Sequence, residues 1–210
     1  MEKAGIPYIL FFLAIVILGI FLGNIIGVII CIVGFIALVF TVFFFRDPSR
    51  EIPDDENAIL SPADGKIVAI DNIEDDDIGS AQRIAIFMSP LDVHINRSPA
   101  NGKVIGVKHF PGKFHCAYLA EASIENERID MLMESHWGKI RIIQIAGIIA
   151  RRIVCRVKAN DELKKGNKYG IIHFGSRVEA IVPSNIKLAV ENGQKVVAGE
   201  TIIARWKKGE

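Results

Sequence analysis

The sequence predicts a mainly β protein of the α+β class, in which a strand-rich domain follows an N-terminal transmembrane helical hairpin. Three observations carry that prediction. No Asp, Glu, Lys or Arg occurs from Ile6 to Phe45. Beyond Arg46, short runs of alternating or β-branched residues recur at close intervals between Gly, Pro and Asn, which is strand punctuation. The stretch from Val190 to Ala204 sets Gly193 and Gly199 at hairpin positions with apolar residues between them, as in barrel-sandwich domains.

Half of the 210 residues are apolar and the mean hydropathy is +0.33, too high for one ordinary soluble domain. The charge-free block holds the excess, and the remainder has a globular composition with enough apolar residues for one core. Lys and Arg number 25 against 24 Asp and Glu, and the two signs are interleaved. No basic face is left for a phosphate backbone, so a nucleic-acid partner is not expected. Cys31 lies in the apolar block, while Cys116 and Cys155 are far apart and form no CxxC. Neither a metal ribbon nor a disulfide framework is expected. His109, His115 and His136 supply no spacing for a three-ligand catalytic zinc, and no metal is predicted.

The elements follow in order. One helix through the whole apolar block would be about 60 Å long, twice the roughly 30 Å hydrocarbon thickness. Two spans, about 8–22 and 25–45, fit instead, broken at the turn-forming pair Gly23-Asn24. A cleaved signal peptide fits less well, because the run exceeds an h-region and no small-residue cleavage site follows. Lys3 precedes the hairpin, and Arg46 and Arg50 follow it, so both ends and the globular part are expected on the cytoplasmic side of the cell membrane. Residues 46–57 read as a polar connector, and 58–210 as the catalytic domain. The strand candidates are Lys66 to Ile70, Arg83 to Met88, Val104 to Val107, Ile140 to Ile145, Ile153 to Lys158, Lys168 to His173, Arg177 to Ile181 and Thr201 to Trp206, and only Phe114 to Asn126 hints at a helix. The run Glu74 to Asp77 reads as a solvated turn.

Three local sequences put a reactive side chain beside turn formers: 61–65 (SPADG), 89–99 (SPLDVHINRSP) and 173–179 (HFGSRVE). Asp64, His94 and Ser176 are the residue types of a base-activated hydroxyl: a carboxylate to orient, an imidazole to take the proton, an oxygen to attack. The same residues also fit plain roles as a turn cap, a strand-end histidine and a strand hydroxyl. A membrane-anchored serine hydrolase is one alternative, although no GxSxG elbow surrounds Ser176. A noncatalytic barrel-sandwich adaptor is another. Gly175-Ser176 permits a third chemistry, in which the hydroxyl adds to the carbonyl of its own preceding peptide bond. The ester so formed eliminates across the Ser Cα and Cβ, and the dehydroalanine hydrolyses to a pyruvoyl terminus.

Taken in order, 61–66 (SPADGK), 89–97 (SPLDVHINR), 111–114 (PGKF), 126–128 (NER), 144–153 (QIAGIIARRI) and 174–178 (FGSRV) resemble the phosphatidylserine decarboxylases, in the short form that is similar to archaetidylserine decarboxylases. The resemblance implies a proenzyme that cuts itself between Gly175 and Ser176 into a β chain, 1–175, and an α chain, 176–210. It implies a pyruvoyl group made from Ser176, which forms a Schiff base with the amine of a serine phospholipid and accepts electrons as CO2 leaves. The product is the ethanolamine phospholipid, and the partners are the membrane lipid and the two chains of one precursor, with a higher oligomer left open. Long-form members carry a second His where Arg97 stands here, so His94 is assigned alone as base and proton donor, oriented by Asp64 with Asp92 as the rival. Arg97, Arg151 and Arg152 are the candidate contacts for the phosphodiester. His173 is expected to be structural, since in a strand it shares a face with Gly175 and points away from Ser176.

Overall fold

The computed structural model describes residues 1–115, 117–118, 125–148, 152–173 and 175–206. The chain divides into two compact units, Met1–Ser49 and Arg50–Glu210. In the first, a 3-10 turn (Lys3–Gly5) leads into α1 (Ile6–Leu22) and α2 (Ile25–Phe44). Between them Gly23 closes α1 in the left-handed conformation, φ 62°, and the Asn24 side chain accepts the Gly27 N–H at 2.9 Å as the N-cap of α2. The two helices touch where side chains are smallest. A methyl on Gly34 would meet Ile15, one on Gly19 would meet Gly27 and Cys31, and the Cys31 thiol donates to the Val16 carbonyl at 3.3 Å. Both helices are long and apolar enough to cross a membrane.

The second unit is built of strands β1 (Ala58–Leu60), β2 (Gly65–Asp75), β3 (Gly79–Met88), β4 (Ile95–Arg97), β5 (Gly102–Phe110), β6 (Arg128–Ser135), β7 (Gly138–Ile145), β8 (Ile153–Cys155), β9 (Glu162–Leu163), β10 (Lys168–Ile172), β11 (Ser176–Pro183), β12 (Ile186–Leu188), β13 (Lys195–Val196) and β14 (Ile202–Trp206). The mainly β class with two N-terminal helices is the one the sequence predicts. An eight-stranded antiparallel sheet has the order β13-β2-β3-β11-β7-β6-β5-β9, and two three-stranded sheets, β1-β14-β12 and β4-β10-β8, complete the unit. Register shifts between Ile67 and Ala69 and between Val104 and Gly106 bend the large sheet, as an extra residue on one strand does. One face carries Ile67, Ile86, Met88, Met131, Ile142 and Val178, all but fully buried. Their alternation with outward residues fixes the register, because a slip of one would turn the apolar row to solvent.

The helix hinted at over Phe114 to Asn126 lies mostly outside the described residues. The sequence reading differs in two places. The run Ile153 to Lys158 stays extended only to Cys155. The acidic run is not simply solvated. The end of the β2–β3 hairpin lies over the outer face of the sheet, where Arg141 forks onto Asp75 at 2.8 and 3.0 Å and also reaches Asp77 at 2.6 Å and Asp130 at 2.7 Å.

Burial raises the Asp75 carboxyl, but the Arg141 fork and the Asp77 and Ile78 N–H groups outweigh it and hold Asp75 below the usual range. Burial pushes Asp130 up in spite of the same guanidinium. Asp75 therefore contributes stability at neutral pH that is lost as pH falls through its depressed value, while Asp130 has the opposite sign. Arg141→Met leaves two largely buried carboxylates without their cation and is expected to cost about 3 kcal/mol, on the order of a 10 °C fall in Tm. A thermal scan by circular dichroism checks it, and an unchanged midpoint would show that the cluster adds nothing.

Candidate active site

Gly175 has φ +64°, a conformation that a side chain resists, and Ser176 begins β11 directly after it. Ser176 pairs in register with Met88 at the end of β3. Its side chain is fully buried, and the hydroxyl donates to Met88 Sδ at 3.4 Å. A thioether is a weak acceptor, so the proton is not committed to a strong partner.

His94 reaches this point from the other side. The preceding segment is turned by the Asp92 N–H donating to the Ser89 carbonyl at 2.9 Å and the Ser89 N–H donating to the Asp92 carboxylate at 2.7 Å. That turn brings the Asp92 carbonyl to His94 Nδ1 at 2.9 Å. Nδ1 then carries the proton and Nε2 is the free base, and Nε2 accepts the Gly175 N–H at 3.2 Å. The imidazole is itself fully buried.

Sequence reasoning missed two further polar groups beside it. Asn96 shares the His94 face of the chain; its amide N–H approaches Met88 Sδ at 3.8 Å, and its carbonyl accepts Gln144 Nε2 at 2.8 Å. Both are buried, and Gln144 Oε1 has no hydrogen-bond partner among the described residues. The available signal was an amide alternating with isoleucines in each of two quoted segments, 94–97 and 142–145.

The orienting carboxylate is where the structure departs from expectation. Asp64 accepts Arg50 at 2.8 and 3.0 Å and the Ala198 N–H at 2.8 Å, and its bonds do not include His94. The rival, Asp92, meets the imidazole through its main-chain oxygen and not its carboxylate. Arg97 lies on the opposite face of β4 from Asn96 and donates to the Gly166 carbonyl at 3.0 Å, so it is not aimed with His94. Arg151 lies outside the described residues. Arg152 is exposed, and its carbonyl accepts the buried His173 N–H at 3.1 Å, three residues before Ser176.

Exposed apolar side chains stand next in sequence to residues that border Gly175 or Gly147. Pro90 is the neighbour a Gly175 side chain would meet, and Leu91 beyond it is 65% exposed. Tyr118, edge-on to Phe87, is 59% exposed, and Ile148 is 58% exposed. No group of three His, Cys, Asp or Glu side chains is gathered for a metal among the described residues.

A buried serine after a left-handed glycine, with an imidazole accepting the glycine N–H, forms a candidate enzyme site beside a curled sheet. The model of the phosphatidylserine decarboxylase family matches residues 37–204. Proteins named phosphatidylserine decarboxylase proenzyme are similar to the chain. The one from Desulfotalea psychrophila is 44% identical over 173 residues, 81% of each chain. That from Chlorobium chlorochromatii is 43% identical over 178 residues, 83% of this chain and 84% of the relative. The Rickettsia akari protein is 46% identical over 178 residues, 82% and 77% respectively. The chain belongs to the phosphatidylserine decarboxylase family and is a carboxy-lyase.

Proposed function

We propose that the chain is a precursor that cuts itself between Gly175 and Ser176, and that the product decarboxylates phosphatidylserine at the cytoplasmic face of the membrane. The observation that carries this reading is the His94 Nε2 contact with the Gly175 N–H beside a fully buried Ser176 hydroxyl. No GxSxG elbow surrounds Ser176, which disfavours a serine hydrolase. The carbonyl carbon of its own preceding peptide bond is within covalent reach. The relatives' printed name, proenzyme, accords with processing.

His94, neutral at Nε2, takes the Ser176 Oγ proton as Oγ adds to the Gly175 carbonyl carbon. The C–N bond then breaks, the Ser176 nitrogen receives the proton, and an ester links Gly175 to Oγ. Removal of the Ser176 Cα proton expels Gly175 as a carboxylate. The enamine left behind tautomerises and takes up water, releasing ammonia and leaving the pyruvoyl group. Left-handed Gly175 eases the first step, because the main chain is already out of extended geometry at the bond that must rearrange.

The fit of such a group to this site rests on the burial of Ser176 and on the chain's own donors around it, His94, Asn96 and Gln144. When present it supplies a carbonyl electron sink for decarboxylation. His94 is placed to return a proton to the carbon that loses CO2, and exposed Arg152 to hold the phosphodiester. Leu91, Tyr118 and Ile148 present an apolar rim to the acyl boundary of the bilayer. The hairpin keeps the enzyme at the interface where the lipid resides, since the head group is almost never free in water.

Membranes carrying the protein, given phosphatidylserine, are expected to release CO2 without added cofactor, and pretreatment with hydroxylamine, which traps ketones, is expected to abolish the release. Undiminished release after trapping would remove the carbonyl from the mechanism.

A further inference from the structure

We infer that Gly147 is a positioning residue for self-cleavage: its lack of a side chain seats the carbonyl of Gly175, the group that Ser176 attacks. The inference rests on the self-cleavage proposed above. A Cβ built on Gly147 would overlap the Gly175 carbonyl oxygen and stand 3.2 Å from its carbon. In glycine a Cα hydrogen occupies that direction and points at the oxygen, as in the close Cα–H contacts between neighbouring chain segments. The carbonyl therefore lies directly against the Gly147 backbone, with no side chain between them.

The seat is held firmly. Ala146, the preceding residue, is fixed from both sides: its N–H donates to the Glu127 carbonyl at 2.9 Å, and its carbonyl accepts Asn126 Nδ2 at 2.8 Å. Asn126 is fully buried, and it also accepts the His115 N–H and donates to the His115 carbonyl, both at 2.8 Å. One amide thus ties the β7 exit to the segment that carries Ala117, whose Cβ is the next neighbour of a Gly147 methyl, at 3.3 Å. Gly175 answers from its side with φ +64°. The two glycines meet for different reasons, Gly175 for its dihedral angle and Gly147 for space. Gly147 does not touch the proton path through His94, so it acts on where the carbonyl sits and not on which group takes the proton.

The test uses the full chain. A methyl at position 147 must displace the carbonyl, and misplacing a reacting atom by about 1 Å costs on the order of 100-fold in rate. Gly147→Ala is expected to show cleavage slower by about that factor, followed by intact mass. The pH at which cleavage is half-maximal stays that of wild type, because the base is untouched. Gly102→Ala is the comparison: its Cβ would overlap the Glu134 carbonyl oxygen at the start of β5, in a contact that involves no site residue. It is expected to lower the thermal midpoint without slowing cleavage of the folded protein. Cleavage of Gly147→Ala at the wild-type rate overturns the inference, and so does a loss that merely tracks its thermal midpoint as for Gly102→Ala. If Gly147→Ala does not fold, Asn126→Ser, which releases the Ala146 carbonyl without adding bulk, carries the test. It is expected to slow cleavage on the order of 10-fold at an unchanged pH midpoint, and wild-type cleavage would overturn the seat. Failure of self-cleavage itself reads out separately, through Ser176.

Discussion

Ser176→Ala is expected to accumulate as one chain of 23.2 kDa with no decarboxylase activity, whereas the wild type separates into fragments 1–175 and 176–210. The substitution removes one buried oxygen whose acceptor among the described residues is a methionine sulfur. Its cost to folding is therefore small, and loss of processing reports chemistry and not collapse. Intact mass and N-terminal sequencing decide it: the smaller wild-type fragment should resist Edman degradation, having no amine. Cutting of Ser176→Ala at the same bond would end the proposal, because the residue then has no hydroxyl to attack with.

His94 carries the next largest effect. His94→Gln keeps a side chain of similar reach that donates and accepts but does not take up a proton, and maturation is expected to slow by about 10²–10⁴-fold. The geometry makes a sharper contrast available. The Asp92 main-chain oxygen holds Nδ1, and the Asp64 carboxylate is committed to Arg50 and the Ala198 N–H. Asp64→Asn should therefore disturb the Arg50 pair more than the imidazole tautomer, and its maturation should exceed that of His94→Gln. Time courses of cleavage for both variants, with circular dichroism to confirm folding, test the ordering. Normal maturation of His94→Gln would move the base elsewhere.

These two predictions were largely legible before any coordinates, and the reason lies in the kind of signal each residue gives. Gly175-Ser176 is a local chemical statement, since the attacked carbonyl and the attacking hydroxyl are neighbours in the chain. The two apolar helices are legible for a similar reason, because a charge-free stretch broken by Gly-Asn is a statement about neighbours along the chain. Alternating or β-branched residues marked β3, β7, β10 and β11, the last two buried on both faces. This signal failed for three-residue strands such as β1 and β4, and for β6, whose Met and Leu alternate with charges too weakly to stand out. The charged fork of Arg141 onto Asp75, Asp77 and Asp130 joins residues more than sixty positions apart in two of its three arms. The acidic run by itself looks like a solvated turn.

What the sequence alone determined is therefore everything that depends on neighbours along the chain: the two apolar spans, the mainly β class, the serine after a glycine, and the membership that its ordered motifs imply. What the tertiary structure decided is which distant groups converge. It set His94 on the Gly175 N–H, gave the imidazole a carbonyl in place of a carboxylate, and brought Asn96, itself bonded to Gln144, to the same sulfur as Ser176. It also laid Gly147 against the Gly175 carbonyl. The physical reason is register: the pairing of β11 with β3 and β7 places Ser176 opposite Met88 and Arg177 opposite Ile145, and such pairings are chosen by burial of a whole face. No single residue announces them.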